Sequence, residues 1–279
     1  NYKDDNHKPE LMVALSDFWL LHGFKPAEEL MDTLQNVTEL NSLLPVFMAE
    51  GYAALYRYVM EMPQEEVNRL LQPLLDNIEG VYKEKVPDKY DEDFWALRAA
   101  QTFNKGNDID KGIFSIYLFN LLHLKKGEAI FQDAGVPHAY LEGQNIEIMA
   151  NSDNVLRGGL TTKNIDVKEL LKHTKCEATF PQVLNGDTVN PFEKQFNVPV
   201  PDSRLSRLDI SGEDAISFRI NDAEILLLTE GEVLVKDETA TIHLEKGQAV
   251  FCLPGTTVTI EKITNAVIFR AGSSVHISE

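Results

Sequence analysis

The sequence predicts a mainly β protein built of two jelly-roll domains, with an α-helical domain inserted into the first. Three observations predict this fold. Short β runs precede residue 26, apolar residues recur at helical spacing from residue 26 to about 110, and β runs separated by turn residues fill the chain after residue 113. A stretch within the last part also matches an earlier one, which indicates that the β unit occurs twice.

The helical region lies between two groups of strands. Residues 11–22 read as two short strands around a turn at Ser16-Asp17. From Pro26 onward, leucines and valines recur every three or four residues, and Asp91 to Phe103 forms a further amphipathic helix. These apolar stripes are expected to be core, and residues 45–62 are consistent with one helix or two. After Ile113 the only helix predicted runs from Val167 to His173.

The internal repeat has a constant offset of 120 residues between Leu124–Phe131 and Leu244–Phe251. Leucine, lysine, glycine, alanine and phenylalanine agree, and so does a later glycine, Gly135 or Gly255. The unit reads as a hairpin with its turn at Lys-Gly. Three residues beyond the later glycine stands a histidine in the first copy and Val258 in the second. We therefore expect one functional and one structural copy.

Composition excludes several classes of partner. A net charge of -18 argues against nucleic acid, and no apolar run approaches the length of a membrane span. An anionic ligand would need a local group of cations, for which Lys8, Arg157 and Lys163 are the candidates. Two lone cysteines and no visible secretory signal favour a reducing, cytoplasmic location. The sequence does not indicate an oligomeric state.

The segment from Pro137 to Lys163 carries most of the reactive side chains. Strand alternation predicts that His138 and Tyr140 share one face, and it turns Glu147 away from the two isoleucines beside it. Such groups can project into an enclosed polar space, although a solvated strand face is the alternative for each one alone. No role is assigned to the other histidines, which are His7, His22, His123, His173, His243 and His276.

Three separated segments resemble type I mannose-6-phosphate isomerases. They are NHKPE at residues 6–10, AGVPHAYL at residues 134–141 and EIMANSDNVLRGGLTTK at residues 147–163. Members of this family are zinc-dependent proteins with two cupin (jelly-roll) domains and a helical domain. The resemblance implies a catalytic cupin domain formed by residues 1–25 and 112–165, a helical domain at 26–111 and a C-terminal cupin-like domain without metal ligands at 166–279.

The resemblance implies that Glu10 and His138 are zinc ligands, with one Zn²⁺ per complete chain. Without it, Glu10 would read as a solvated strand end and His138 as a hydrogen-bonded turn residue. The family's other two ligands lie in a Gln-x-His-Pro motif that this sequence does not contain, so two of four are present. We expect the rest of the catalytic domain to precede Asn1.

The resemblance also suggests roles for six further residues. Arg157 would stabilise negative charge on an enediolate, and Glu147 or Asp153 would transfer the proton. Asp153 can equally be a turn residue, and Arg157 an ordinary loop arginine. Residues that would contact the sugar or its phosphate are Lys8, Tyr140 and Lys163, which otherwise read as surface lysines and a packing aromatic.

The implied activity is the interconversion of mannose 6-phosphate and fructose 6-phosphate, with zinc-assisted proton transfer between C1 and C2 through a cis-enediol. The alternative is a non-catalytic sugar-binding or interaction protein that retains the cupin scaffold but has lost part of its metal site. A third class, the metal-dependent cupin oxygenases, would need further histidines close to His138, and the sequence has none there.

Overall fold

The computed structural model describes residues 4–201 and 203–273, so His276 lies outside the described residues. The first β unit is a sandwich of two small antiparallel sheets. Its strands are β1 (Glu10–Ala14), β2 (Phe18–Phe24), β3 (Phe119–Leu124), β4 (Ala129–Gln132), β5 (His138–Glu142) and β6 (Asn145–Met149). One sheet has the order β6-β1-β4 and is extended by β7 (Val183–Leu184), and the other has the order β3-β2-β5.

The helices lie between β2 and β3 in the chain, as predicted. They are α1 (Ala27–Asn36), a 3-10 helix (Thr38–Leu43), α2 (Leu44–Glu61), α3 (Gln64–Tyr82), α4 (Glu92–Phe103) and α5 (Gly112–Leu118). Gly51 has φ 75° and ψ -163° and breaks α2 into two segments, which settles the question left open by the sequence. The sequence predicted strands after Ile113, and α5 shows that this was wrong. All seven residues of α5 are buried, so its sequence has no amphipathic period to reveal a helix.

The second β unit follows α6 (Val167–His173), whose bounds are those predicted. Its strands are β8 (Asp187–Asn190), β9 (Glu193–Phe196), β10 (Arg204–Ile210), β11 (Ala215–Arg219), β12 (Glu224–Glu230), β13 (Glu232–Lys236), β14 (Thr241–Glu245), β15 (Ala249–Cys252), β16 (Thr257–Lys262) and β17 (Ala266–Gly272). They form a sheet of order β15-β12-β17-β10-β9-β8 and a sheet of order β11-β16-β13-β14. The protein is therefore mainly β, and no helix among the described residues is long and apolar enough to cross a membrane.

The apolar core is layered. Met12, Leu20 and Ile130 fill the first sandwich. The opposite face of β1 packs against the second sandwich through Leu11 and Phe269. The outer face of β2, with its neighbours β3 and β5, packs against the helices. Strand alternation thus leaves one face of β1, β4, β5 and β6 directed into the first sandwich, where the candidate site residues lie.

The repeat has the same conformation in both copies, but it is not a hairpin. Gly127 and Gly247 have φ of 92° and 89°, and Gly135 and Gly255 have φ of 83° and 84°. However, β3 and β4 belong to different sheets, and so do β14 and β15. The Lys-Gly turn therefore carries the chain across the sandwich. A turn with a positive-φ glycine suits either connection, so the sequence alone could not distinguish them.

The repeat makes the two sandwiches comparable strand by strand. Glu10 pairs with Gln132, and Glu224 pairs with Cys252. Because Gln132 and Cys252 are also related by the offset of 120, Glu224 is the counterpart of Glu10. By the same pairing, Glu147, which faces Met12, corresponds to Arg270, which faces Leu226.

The first sandwich has open edges. In the second sandwich β17 pairs with β10 as well as β12, and β16 pairs with β11 as well as β13. In the part of the chain that the structure describes, their counterparts β6 and β5 are edge strands, without equivalents of β10 and β11. The interior of the first sandwich is consequently accessible from this side.

Candidate active site

Three side chains converge at one end of the first sandwich. The Nε2 atom of His138 lies 3.1 Å from Oε2 of Glu10, and Nζ of Lys8 lies 3.4 Å from Oε1. Glu10 begins β1 and His138 begins β5, on the two facing sheets. The carboxylate is thus held between an imidazole and an ammonium group, and its side chain is 12% exposed.

The orientation of His138 suits a metal ligand. Its Nδ1 lies 3.1 Å from the carbonyl oxygen of Val136 and can donate to it, which leaves Nε2 directed at Glu10. A backbone acceptor on one ring nitrogen is the usual way to orient a metal-binding imidazole. Burial opposes protonation of the ring, but the hydrogen bond and charge of Glu10 outweigh it and raise the pKa of His138.

The same pair shifts the pKa of Glu10 in the opposite direction to that of His138. Burial would raise the pKa of the carboxyl group, but His138 and then Lys8 outweigh this effect and lower it. Glu10 is therefore ionised at neutral pH and available to a cation. In the described residues no group of three or more histidine, cysteine, aspartate or glutamate side chains is placed to hold a metal ion.

A chain of hydrogen bonds lies beside this cluster. The Nε2 group of Gln132 donates to Oη of Tyr140 at 2.7 Å, and Tyr140 donates to Oε1 of Glu147. Burial is the main cause that raises the pKa of Glu147, and the charge of Glu10 adds to it. Tyr140, His138 and Lys8 act in the opposite direction. A carboxyl group with a raised pKa that is hydrogen-bonded in this way is a candidate for general acid-base chemistry.

The predicted facing of these strands is confirmed. Ala139 and Leu141 pack on the helical core, so His138 and Tyr140 point into the sandwich. The isoleucines on either side of Glu147 pack in the core between the two sandwiches, and Glu147 therefore faces inward.

A cavity of about 430 Å³ opens beside the cluster, between the first sandwich and the helices. Lys8, Glu10 and His138 line its sandwich side, and Tyr56 and Leu170 line its helical side. The other lining residues with polar side chains are Asn6, His7, Ser115, Asn154, His173 and Thr174. The cavity is large enough for a small sugar derivative.

The remaining predicted residues lie farther from the cluster. Arg157 is partly buried between two residues that line the cavity, Leu156 and Gly158, but it forms no hydrogen bond or ion pair within the described ranges. Asp153 is exposed, and its backbone N–H donates to Oδ2 of Asp4 at 3.0 Å. Lys163 is exposed in the loop before α6. The structure thus brings together five of the eight predicted residues, which are Lys8, Glu10, His138, Tyr140 and Glu147.

The loop containing Asp153 is held against the start of the chain. Asp4 accepts from the hydroxyl of Ser152 at 2.8 Å, and Nδ2 of Asn154 donates to the backbone oxygen of Asp4 at 2.8 Å. Asn154 is 8% exposed. These contacts fix the loop to Asp4, and Asn154 positions the following residues along the cavity.

Sequence reasoning missed two buried polar residues in the first sandwich, His22 and Gln132. They are 4% and 1% exposed, respectively. His22 pairs with His138 across β2 and β5, and neither of its ring nitrogens has a hydrogen-bond partner in the described chain. Burial, and then the charge of His138, lowers the pKa of His22 from 6.5 to about 4. The only signal in the sequence was strand alternation, which places His22 on the same face as Leu20.

His22 should make the protein sensitive to acid. Its pKa is lower in the folded chain, so its stabilising effect is present above pH 6.5 and is lost as pH falls towards 4. Between pH 7 and pH 5 we expect it to account for about 2 kcal/mol of lost stability. Urea unfolding of the metal-free chain at both pH values would measure this loss, and His22→Leu should remove it. An equal loss in the variant would contradict this prediction.

The second sandwich has a different arrangement at the counterpart of Glu10. Glu224 is fully buried and accepts hydrogen bonds from Nε of Arg270 at 2.6 Å and from Arg204. Arg270 also lies 4.4 Å from the ring centroid of Phe218. The carboxylate at the counterpart of Glu10 is therefore paired with two guanidinium groups, where Glu10 has a lysine and a histidine beside it.

Comparison with known proteins extends these observations. The family profile "Phosphomannose isomerase type I, catalytic domain" matches residues 1–27. The mannose-6-phosphate isomerase of Rattus norvegicus is 33% identical over an alignment of 301 positions. This alignment covers 97% of this chain and 69% of that protein. The enzyme of Salmonella typhimurium is 34% identical over 256 residues, covering 90% of the chain. The chain spans 62% of the length of that relative.

Solved structures agree with the sequence matches. A crystal structure of zinc-bound mannose 6-phosphate isomerase superposes with a TM-score of 0.79 and 30% identity, covering 99% of this chain and 68% of that one. A mutant phosphomannose isomerase from Salmonella typhimurium gives a TM-score of 0.81 with the same identity.

The sandwiches and the convergent carboxylate and imidazole define a mainly β protein with a candidate metal-binding active site. The sequence and structure matches identify the family within this class. The chain belongs to the type I phosphomannose isomerase family.

Proposed function

We propose that the protein of which this chain is part interconverts mannose 6-phosphate and fructose 6-phosphate. The observation that carries the proposal is the convergence of Glu10, His138 and Lys8 beside a cavity in a member of this family. The substrate would be a small sugar phosphate, and Lys8 supplies positive charge at the cavity of an otherwise acidic protein.

The proposal includes the finer architecture. Both sandwiches would be cupin rolls, with the catalytic roll formed by residues 1–25 and 112–165, the helical domain by 26–111 and the C-terminal roll by 166–279. The equivalence of the two Lys-Gly turns supports this division. The open edges of β5 and β6 are where further strands of the catalytic roll would pair. Two free cysteines are in keeping with a cytoplasmic protein.

The residues present fit one part of a zinc site. Nε2 of His138 and Oε2 of Glu10 already face each other, and both are ligand types that zinc accepts. Zinc bound there would act as a Lewis acid on the oxygens at C1 and C2 of the open-chain sugar. Glu10 and His138 would hold it together with two ligands that the described residues do not supply.

In the proposed reaction, this chain's own residues move the proton and hold the sugar. Glu147 takes the proton from one carbon and returns it to the other, while Tyr140 orients its carboxyl group. Asp153 is the second candidate for proton transfer. Arg157 neutralises the charge that develops on the enediolate, for which its side chain must turn into the cavity. Lys8 and Lys163 bind hydroxyl or phosphate oxygens.

A direct assay tests the proposed function. The full-length protein should convert each sugar phosphate into the other, lose this activity in a chelator and regain it with zinc. Metal-replete protein that converts neither sugar phosphate would disprove the proposal. If that inactive protein still binds mannose 6-phosphate, the result favours the alternative, a non-catalytic sugar-binding cupin.

The present chain alone should bind zinc weakly, because it contributes two of four ligands. Metal analysis after gel filtration would measure this. One tightly held zinc per chain would show that the missing ligands come from within the sequence.

Substitution Arg157→Ala in the full-length protein should lower kcat by about a hundredfold or more, because the enediolate charge is then left uncompensated. Zinc affinity should change little, since Arg157 is not a ligand. Lys168→Ala, on the exposed side of α6, is the control for an unspecific loss of positive charge. Equal losses of turnover and zinc would show that Arg157 supports the metal site instead.

A further inference from the structure

Gln132 is an unexpected residue in the interior of the first sandwich. It ends β4, is 1% exposed and stands directly beside Glu10 in the sheet. Its Oε1 atom has no hydrogen-bond partner among the described residues. Burying an amide destabilises the folded protein unless its polar atoms are hydrogen-bonded. Within the described part of the chain, the one hydrogen bond of its side chain runs from Nε2 to Oη of Tyr140.

The chemistry of the three groups sets the direction of their hydrogen bonds. The amide NH₂ of Gln132 can only donate, and the hydroxyl of Tyr140 has a single proton. With Gln132 donating to the phenol oxygen, the O–H of Tyr140 is directed at Oε1 of Glu147. Oε2 of Glu147 remains outside this chain of bonds.

The strands explain why two anchors are needed. Tyr140 comes from β5 and reaches across to the facing sheet, where Gln132 lies on β4 and Glu147 on β6, one on each side of β1. Tyr140 is 38% exposed at the open edge, so neighbouring side chains do not enclose it completely. The hydrogen bond from Gln132 fixes the hydroxyl end of the Tyr140 ring, which packing alone does not hold.

The arrangement is specific to the sandwich with the candidate site. At the repeat positions of Gln132 and Tyr140 the second sandwich has Cys252 and Ile260, and the counterpart of Glu147 is Arg270. A hydrogen-bonded chain of this kind is therefore not required by the fold.

We propose that Gln132 is a positioning residue that holds Glu147 in its reactive orientation through the hydroxyl of Tyr140. This inference rests on the proposed function, in which Glu147 moves the proton. It assigns a role in the reaction to a residue that never contacts the sugar.

The test is a double-mutant cycle in the full-length, zinc-loaded protein. Gln132→Met keeps the volume but removes the amide, and Tyr140→Phe removes the hydroxyl. Each should lower kcat about tenfold with KM changed less than about twofold, because the carboxyl group is misdirected and not removed. The double variant should be no slower than the slower single variant, since both changes break one chain. Cys252→Ala changes the same repeat position in the other sandwich and should leave kcat unchanged.

The outcomes separate this inference from the proposed function. Full kcat in Gln132→Met, or losses that multiply in the double variant, would overturn the role of Gln132 while the isomerase proposal stands. An inactive parent protein would overturn both. If Gln132→Met does not fold, Gln132→Asn retains the buried amide but is too short to reach Tyr140. It should show the same loss of kcat, and unchanged turnover in that variant would contradict the inference.

Discussion

Replacing Glu147 by glutamine should lower the kcat of the full-length protein by a factor of about 10²–10⁴ while zinc content and folding remain unchanged. Glutamine has the same shape and can still bond to Tyr140, but it cannot accept the proton from carbon. Burial raises the pKa of Glu147, with a further contribution from Glu10, and this brings the carboxyl group closer to the pH at which it must both take and return the proton.

The matched control for this experiment is Glu142→Gln. Glu142 lies on β5, close to the site, but it is paired with Lys89 and Arg98 on the surface. Its loss should leave kcat within about twofold, since a partly exposed ion pair contributes little. If Glu147→Gln retains more than about a tenth of the parent activity, Glu147 is not the proton carrier. Asp153→Asn would then be the variant to measure.

Replacing Arg270 by methionine should destabilise the chain by about 3–5 kcal/mol, because the fully buried Glu224 would lose one of the two arginine partners that it has among the described residues. Unfolding in urea would measure this change. The double variant Glu224→Leu/Arg270→Met should recover part of the loss, since it removes the fully buried carboxylate, whereas Glu193, which lies 3.5 Å from Arg270, loses this ion pair in both variants.

A surface ion pair of the same sandwich provides the comparison. Arg207 and Asp209 lie 3.1 Å apart with their side chains 28% and 43% exposed. Arg207→Met should therefore cost less than about 1 kcal/mol. A similar cost for Arg207 and Arg270, or a double variant as unstable as Arg270→Met, would mean that the lost packing of the long side chain dominates and that the buried charge does not.

Local features of the fold could be predicted from the sequence because they depend on neighbouring residues. Alternation predicted the facing of His138, Tyr140 and Glu147, and the apolar spacing predicted α6 with its bounds. Helix α5 was missed because it is buried on every side, and the hairpin was wrong because a glycine turn does not reveal which sheet the next strand joins.

The site itself was harder to predict because its parts come from distant segments. Glu10 and His138 are separated in the sequence by the whole helical region between β2 and β3, and no local pattern links them. The two residues were linked by the resemblance to a known family. The chain's membership of that family is now established, while the roles of the two residues remain predictions. For Gln132 and His22 the sequence gave no signal beyond strand alternation, because a single polar residue in a strand is usually solvated and the sequence does not show which face is enclosed.

The relation between Glu10 and Glu224 has a consequence for how the two halves of the chain respond to their surroundings. Glu224 is neutralised by arginines that are covalently part of the same sandwich, so its counter-charge is present in every molecule from synthesis onward. Among the described residues, the cationic partners of Glu10 are a lysine and an ionisable histidine. The environment of Glu10 therefore changes with the protonation of His138, while Glu224 keeps two permanently charged partners at any pH near neutral.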